Sequence, residues 1–250
     1  MTEVDVVIPV YNESENIRQV LDSFKAGLEF SYRVLICYDH DDDTTLEALK
    51  NYPLEGISLE CAKNRGKGAL GAVMTGLNHA TAPAVIVFPA DDTINAPRLN
   101  RLYEKFKQSC DVVVASRFMK GGSLVGCPLV KEILVRIAGF LLHRVALVPT
   151  HDPTNGLRLF SLRLIKGIEI ESRVGFAFSI EYLVKAHRLG LKIDEIPFHW
   201  VERQTGQSRF RTLRWIPQYL RWLFYGLATT WFFRGPETVK WRDESTSRQK

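Results

Sequence analysis

Val4-Asp5-Val6-Val7-Ile8-Pro9-Val10, running straight into Tyr11-Asn12-Glu13, is the stretch that decides the fold. A mostly β-branched apolar run that ends at a proline and then turns polar predicts a strand buried in a sheet. The pattern then recurs. Residues 16–27 have helical spacing (Ile17, Val20, Leu21, Phe24), residues 33–38 are strand-like and residues 44–51 helical. Residues 57–61 read as a third strand, 67–79 as a helix, 84–88 as a near-continuous apolar strand, 99–109 as a helix and 112–116 as a strand. Short apolar strands separated by helices predict an α/β architecture whose mainly parallel sheet is covered on both faces by helices. Ligands of such sheets bind beyond the carboxyl ends of the strands. The polar residues just after the strands therefore carry the functional information: Tyr11-Asn12-Glu13, residues 39–43, Asn64-Arg65, Asp91-Asp92 and Arg117.

The second half reads differently. Residues 129–148 are strongly apolar but interrupted by Lys131, Glu132, Arg136, His143 and Arg144. Residues 213–233 hold Trp215, Tyr219, Trp222, Phe224, Tyr225, Trp231, Phe232 and Phe233, with Arg214, Pro217 and Arg221 breaking the first half. A bilayer span needs about 20 uninterrupted apolar residues, and neither segment supplies them. Trp and Tyr mixed with Arg suit a helix lying in a membrane surface, rings at headgroup level and cations on phosphate; the competing reading is a core helix packed on the sheet. The expected division is a main domain over 1–212 with an interfacial helix at 129–148, an amphipathic helix at 213–237, and a disordered polar tail at 238–250.

The 250 residues are enough for one large core, and 46% hydrophobic with 24% charged residues is ordinary globular composition. A net charge of +5 suits a polyanionic partner, whether nucleotide, phosphate, nucleic acid or anionic lipid. Cys37, Cys61, Cys110 and Cys127 are widely spaced, which argues against a zinc site or disulfide framework and for a reducing compartment. Met1-Thr2-Glu3 leads directly into the first strand, so no signal peptide is expected.

Gly66-Lys67-Gly68-Ala69-Leu70-Gly71 matches GxGxxG, with Asp91 twenty residues on, as a dinucleotide-dependent oxidoreductase would have it. Its context differs, because Ala62-Lys63-Asn64-Arg65 intervenes after the preceding strand and residues 4–10 already hold the first-strand position. The segment reads instead as close helix–strand packing, or as a helix N-terminus presenting Arg65 and Lys67 to a diphosphate. Asp39-His40-Asp41-Asp42-Asp43 follows a strand and could accept hydrogen bonds from a base or ribose, with Asp43 or Thr44 capping the next helix. Asp91 and Asp92 at a buried strand's end suit Mg²⁺ or Mn²⁺, hard cations that bridge carboxylates and phosphates.

Taken in order, Ile8-Pro9-Val10-Tyr11-Asn12-Glu13, Asp39 with Asp43, Asn64-Arg65-Gly66-Lys67-Gly68, Ala115-Ser116-Arg117-Phe118, Thr150-His151-Asp152-Pro153-Thr154-Asn155-Gly156, Gly175-Phe176 with Glu181, Glu195-Ile196-Pro197, and Arg203, Gly206 and Ser208 form a recognisable series. The series resembles the family 2 glycosyltransferases of the Rossmann-like GT-A fold, in particular the dolichyl-phosphate mannosyltransferase branch and its polyprenyl-phosphate relatives. It covers roughly residues 4–221. The resemblance implies that Asp39 contacts the donor's base, with Pro9, Tyr11 and Glu13 lining the same pocket. Lys67 would face the diphosphate, Asp91 would be the surviving carboxylate of the DxD metal motif, and Glu181 would sit near the sugar. Arg117 would hold the acceptor phosphate, and Arg203 and Ser208 would close over the diphosphate or acceptor phosphate. Two departures stand out: the DxD reads Pro89-Ala90-Asp91, and the aspartate pair after the second strand reads Tyr38-Asp39.

The expected activity is inverting transfer of a hexose, mannose or glucose, from a GDP- or UDP-sugar to a polyprenyl phosphate. Asp91, Arg117 and Arg203 carry the chemistry, with a divalent metal at Asp91 and Asp92. The expected partners are nucleotide sugar, polyprenyl phosphate and a membrane surface, not nucleic acid; the expected location is peripheral, on the cytoplasmic face of a membrane. A non-catalytic nucleotide-sugar-binding relative is the further alternative, motivated by Pro89.

Overall fold

The structure is a computed structural model that describes residues 1–201, 212–232 and 236–242. In chain order the elements begin β1 (Val4–Pro9), α1 (Ile17–Gly27), β2 (Tyr32–Tyr38), α2 (Thr44–Lys50), β3 (Ser58–Lys63), α3 (Gly68–His79), β4 (Ala84–Val87), α4 (Arg98–Lys107) and β5 (Val112–Ser116). There follow β6 (Ser123–Val125), α5 (Leu129–Phe140) running into a π-helical turn (Leu141–Val145), β7 (Arg158–Ser161), α6 (Leu162–Gly167), α7 (Ala177–Arg188), β8 (Ile193–Pro197), β9 (His199–Val201) and α8 (Thr212–Trp231). A 3-10 turn, Pro236–Thr238, ends the series.

Seven strands form one sheet in the order β3-β2-β1-β4-β7-β5-β8. The expected α/β fold with a mainly parallel, helix-flanked sheet is what the chain adopts, with β7 as the exception: it runs antiparallel to both β4 and β5. Chain order runs outward from β1 through β2 to β3 on one side and returns through β4 on the other. The gap beyond the carboxyl ends of β1 and β4 is therefore a topological switch point, where open α/β sheets hold their ligands.

Alternate residues of each strand feed opposite faces. Val6 and Ile8 of β1 pack with Val20, Leu21 and Phe24 of α1 and Leu99 of α4. Val7 faces the other way, with Val73 and Leu77 of α3, Tyr182 of α7 and Trp222 of α8. Sheet and α3 approach closely at Gly76, where a Cβ would lie 2.3 Å from Val7 Cγ1 and 2.8 Å from Cys37 Sγ. Trp222 is 1% exposed, so α8 contributes one face to the main core.

The two apolar helices differ in how much they bury. Gly139 is the buried residue of α5, whereas Leu129, Val130, Ile133, Leu134, Ile137 and Phe140 are all exposed. Phe224, Trp231 and Phe232 are exposed on and just after the second half of α8. The end of α8 meets the π-helical turn that continues α5, Trp231 Nε1 donating to the Val145 carbonyl at 2.8 Å and Thr230 Oγ1 to the Ala146 carbonyl at 3.0 Å. Among the described residues, no helix is long and apolar enough to cross a membrane.

Candidate active site

The carboxyl end of β1 is shaped by α2. Asp43 caps that helix, its Oδ1 accepting from the Thr45 amide at 2.9 Å and its carboxylate from the Asn12 amide at 3.1 and 3.2 Å. The Glu13 amide donates to Thr45 Oγ1 at 2.9 Å, and the Thr44 amide to Asn12 Oδ1 at 3.2 Å. Asn12 adopts φ +55°, a left-handed conformation that asparagine tolerates. These bonds fasten the turn after β1 to the helix after β2, leaving Tyr11 exposed with its ring edge-on to His40 at 6.4 Å.

Asp39, at the end of β2, accepts from Asn64 Nδ2 at 2.5 Å. The same asparagine organises the glycine-rich segment, its Oδ1 accepting from the Gly66 amide at 2.7 Å and its Nδ2 donating to the Gly68 carbonyl at 3.2 Å. A Cβ at Gly71 would sit 2.6 Å from Asn64 Oδ1, so this glycine makes room for the asparagine. The segment follows β3, an edge strand, rather than β1, and exposed Lys67 stands at the N-terminus of α3. That is the geometry of a polar rim beside Asp39, not of a dinucleotide fingerprint.

At the end of β4, Asp91 is half-buried and Asp92 is buried. The two carboxylates differ in their surroundings. Asp92 Oδ1 accepts from the amides of Ile94 and Asn95 at 3.2 and 3.0 Å, and Asn95 Nδ2 reaches its two oxygens at 3.0 and 2.8 Å. Burial pushes the Asp92 carboxyl above its usual range, against the pull of those hydrogen bonds. Three of the contacts fall on Oδ1 and one on Oδ2, so the carboxylate that the sequence offered as a metal ligand is engaged by a turn here. Among the described residues no group of three or more His, Cys, Asp or Glu forms a metal-binding cluster. Asp91 to Asn95, with Trp200 and Val201, line a cavity of about 120 Å³ here.

β5 ends at Arg117, whose side chain is only 9% exposed. Its Nε donates to Asp152 Oδ2 at 2.7 Å and its Nη2 to Asp152 Oδ1 at 2.8 Å and Thr154 Oγ1 at 2.7 Å. Asp152 is fully buried; burial alone would raise its carboxyl, but the Arg117 charge and hydrogen bonds hold it below the usual range. Behind it lies Arg158 of β7, also fully buried, donating to the carbonyls of Asp152, Pro153 and Ser179. Burial pushes Arg158 down to about 10 despite the nearby Asp152 charge. Arg117 thus takes the carboxylate directly, while Arg158 is held on neighbouring carbonyls and feels the Asp152 charge. Glu195 of β8 anchors the same segment, accepting from Thr150 Oγ1 at 2.9 Å and from the amide and Nδ1 of His151 at 2.8 and 2.5 Å. The Phe118 ring has Arg117 5.1 Å and Arg136 of α5 4.8 Å from its centroid, which brings the exposed apolar helix beside this corner.

Along the carboxyl edge of the sheet, Pro9, Tyr11, Glu13, Asp39 and Lys67 thus follow β1 to β3, with Asp91 and Arg117 following β4 and β5. Glu181 is not among them. Its side chain is wholly buried on α7, paired with Lys185 Nζ at 2.7 Å and accepting from the amides of Glu171 and Ser172, so the expectation that it sits by the sugar is corrected to a core ion pair. Arg203 and Ser208 lie outside the described residues. Sequence reasoning placed no weight on Trp200, Arg136 or Arg158, and assigned Asp152 no role of its own.

The sequence model described as Glycosyl transferase family 2 matches residues 5–168, well over half of the chain. A dolichol-phosphate mannosyltransferase from Pyrococcus furiosus is 27% identical over 88% of this chain, a match that spans 64% of that relative's own length. An undecaprenyl-phosphate mannosyltransferase from Micrococcus luteus is 28% identical over 81% of the chain and 85% of the relative. A dolichyl-phosphate β-glucosyltransferase from Drosophila melanogaster is 27% identical over 80% and 67%. Among solved structures, a glucosyl-3-phosphoglycerate synthase from Mycobacterium tuberculosis, in complex with Mn²⁺, UDP-glucose and phosphoglyceric acid, shares the fold with a TM-score of 0.66 at 19% identity, over 91% of this chain and 80% of that one. With a GT-A sheet, the family's ordered motifs at its strand ends and a family match across most of the sheet, the chain belongs to glycosyl transferase family 2.

Proposed function

We propose that the chain transfers a hexose, mannose or glucose, with inversion, from a GDP- or UDP-sugar to a polyprenyl phosphate at a membrane surface. The observation that carries this reading is the split character of the cleft. A carboxylate (Asp91) and base-accepting groups (Asp39, Asn64) stand around β1 to β4, and a corner built on two buried or nearly buried arginines (Arg117, Arg158) around Asp152 stands at β5 and β7. One side suits a nucleotide sugar and the other an anionic acceptor. The names of the curated relatives supply the acceptor class and leave the sugar open between mannose and glucose.

Inverting transfer to an alcohol needs a general base. A phosphate monoester has its second pKa at about 6 and is already largely a dianion at neutral pH, so no base is required. The acceptor oxygen forms a bond to C1 as the bond from C1 to the leaving diphosphate breaks, and the nucleoside diphosphate departs with the electron pair. The protein's task is then positioning and charge neutralisation. Asp152 holds the Arg117 guanidinium in a fixed plane, with Arg158 adding positive field behind it. Asp39 would accept from the base, with Pro9, Tyr11 and Glu13 around it, and Lys67 would approach the diphosphate. Arg203 and Ser208 are assigned to the phosphates by resemblance alone.

The donor set fits a divalent metal in a limited way: Asp91 would hold it, whereas Pro89 has no ligand atom and Asp92 is occupied. Such a cation takes as few as one or two carboxylates, with phosphates and water completing its shell. Bound there, Mg²⁺ or Mn²⁺ would neutralise charge on the leaving diphosphate. The solved relative with Mn²⁺ and UDP-glucose is consistent with a metal in this fold.

Attachment to the membrane would use the exposed apolar residues of α5 and of the end of α8, which the turn after α5 connects. The test is a screen of GDP- and UDP-hexoses against polyprenyl phosphate with and without Mn²⁺, repeated with Arg117→Ala. Transfer that needs Arg117 supports the reading. Donor binding without turnover would favour a non-catalytic relative, and undiminished transfer by Arg117→Ala would remove the role given to that residue.

A further inference from the structure

The turn after β4 contains a polar cluster that the transfer reaction does not use directly. Asn95, 4% exposed, gives one amide hydrogen to Asp92 and the other to the His199 carbonyl at 3.2 Å, the first residue of β9. Its Oδ1 accepts from Arg98 Nε at 3.2 Å, and Arg98 Nη1 donates to the Pro197 carbonyl at 3.3 Å. On its other side β9 pairs with β6, where Ser123 Oγ meets His199 Nδ1 at 2.8 Å. A two-stranded ladder of three residues is marginal by itself. Buried Phe198, bonded to Ser116 and Ser123, and the packing of Trp200 on the core anchor β9 on one side. The Asn95 and Arg98 side chains tie it to the turn after β4. Its last two residues, Trp200 and Val201, help close the cavity that Asp91 also lines.

We propose that Asp92 is a positioning residue: through Asn95 it holds β9, and with it Trp200, across the donor cavity from Asp91. Its functional consequence rests on the reading of Asp91 as a donor-binding carboxylate; the clamp itself does not. A carboxylate has about four lone-pair sites, and four hydrogen-bond contacts converge on this one. The chemistry of the pair is directional. Asp92→Asn keeps the size of the side chain but sets an NH₂ group against the Asn95 NH₂. With its oxygen at the Oδ1 place the asparagine loses the 2.8 Å bond and keeps the 3.0 Å one. With its oxygen at the Oδ2 place it keeps the 2.8 Å bond but sets its NH₂ against the Ile94 and Asn95 amides, so either way the clamp is weakened.

The test compares Asp92→Asn, Asn95→Ala and the double variant in the full chain. The first readout is hydrogen–deuterium exchange at the backbone amides of Trp200 and Val201. The second is the donor KM and kcat, and the third is calorimetry of UDP or GDP binding over a Mn²⁺ series. Residues in one hydrogen-bond network couple non-additively, so each single variant should speed β9 exchange about tenfold with the double no faster than the worse single. Donor KM should rise in parallel while the Mn²⁺ concentration for half-maximal nucleotide binding stays unchanged. Unaltered β9 exchange, or additive effects, would overturn the clamp. So would a tenfold higher Mn²⁺ requirement in Asp92→Asn but not in Asn95→Ala, which would make Asp92 a ligand. If Asn95→Ala does not fold, isosteric Asp92→Asn still decides through exchange. If the wild type transfers no sugar, the functional reading fails while β9 exchange still judges the clamp.

Discussion

Replacing Asp152 by Asn tests the arginine corner in a way that separates structure from catalysis. The wild-type carboxylate is fully buried and takes two Arg117 bonds at 2.7 and 2.8 Å plus the Arg117 amide at 3.0 Å. Asparagine keeps the shape and one acceptor oxygen, but removes the charge that balances Arg117 and Arg158. Removing one partner of a buried ion pair costs about 3–5 kcal/mol, and the retained acceptor places this case near the lower end, about 3 kcal/mol. For a chain of this size each kcal/mol moves Tm by about 2–4 °C, so calorimetry should show a fall of about 6–12 °C. Transfer kinetics on the folded variant, run well below its Tm, should show a higher KM for polyprenyl phosphate with the donor KM little changed. A Tm within about 2 °C of wild type would refute the account of Asp152 as the buried partner of Arg117. A donor KM raised as much as the acceptor KM would refute its assignment to the acceptor side.

Three further outcomes follow from particular contacts. Gly76→Ala should lower stability by about 1–3 kcal/mol, the usual range for overpacking, because the new methyl meets Val7 at 2.3 Å and Cys37 at 2.8 Å; an unchanged urea midpoint would contradict that close approach. The carboxyls of Asp5 and Asp152 are held below their ordinary 3.8 because arginine partners outweigh the upward push of burial. Their contribution is complete above that unfolded value and is lost as pH falls through the lower folded values, so urea midpoints should change little between about pH 7 and 5 and drop near pH 3, less steeply in Asp5→Asn. Leu134→Glu with Ile137→Glu, on the exposed face of α5, should abolish co-sedimentation with anionic vesicles while leaving Tm near wild type; unchanged co-sedimentation would remove α5 from the membrane surface.

Much of the sheet was legible in the sequence because β1, β2, β4 and β5 are β-branched apolar runs bounded by polar turns. β7 was not. Arg158-Leu159-Phe160-Ser161 is four residues long, carries a charged residue at a buried position, and runs antiparallel between β4 and β5 for reasons that lie in its long-range partners. The polar groups that follow the strands were visible in the sequence, but the neighbours each one engages were not. A carboxylate after a strand reads the same whether it ligates or caps, yet Asp92 stands three residues before Asn95 at the entry to a helix, the spacing of a local side-chain turn. Glu181 and Lys185 likewise stand at i and i+4 on one helix, a pairing signal present in the sequence. Nothing local joins Arg117 to Asp152, thirty-five residues apart; only the fold makes that pair.

The central claim is transfer of a hexose from a nucleotide sugar to a lipid phosphate by a cleft with a carboxylate on one side and arginines on the other. The most direct measurement gives the full chain Mn²⁺, GDP-mannose or UDP-glucose, and polyprenyl phosphate, and follows both lipid-linked sugar and released nucleoside diphosphate. The account predicts stoichiometric formation of the two products with one of the donors, inverted configuration at C1, and loss of both in Arg117→Ala. Nucleoside diphosphate released to water without lipid-linked sugar, or equal product from Arg117→Ala, would contradict it.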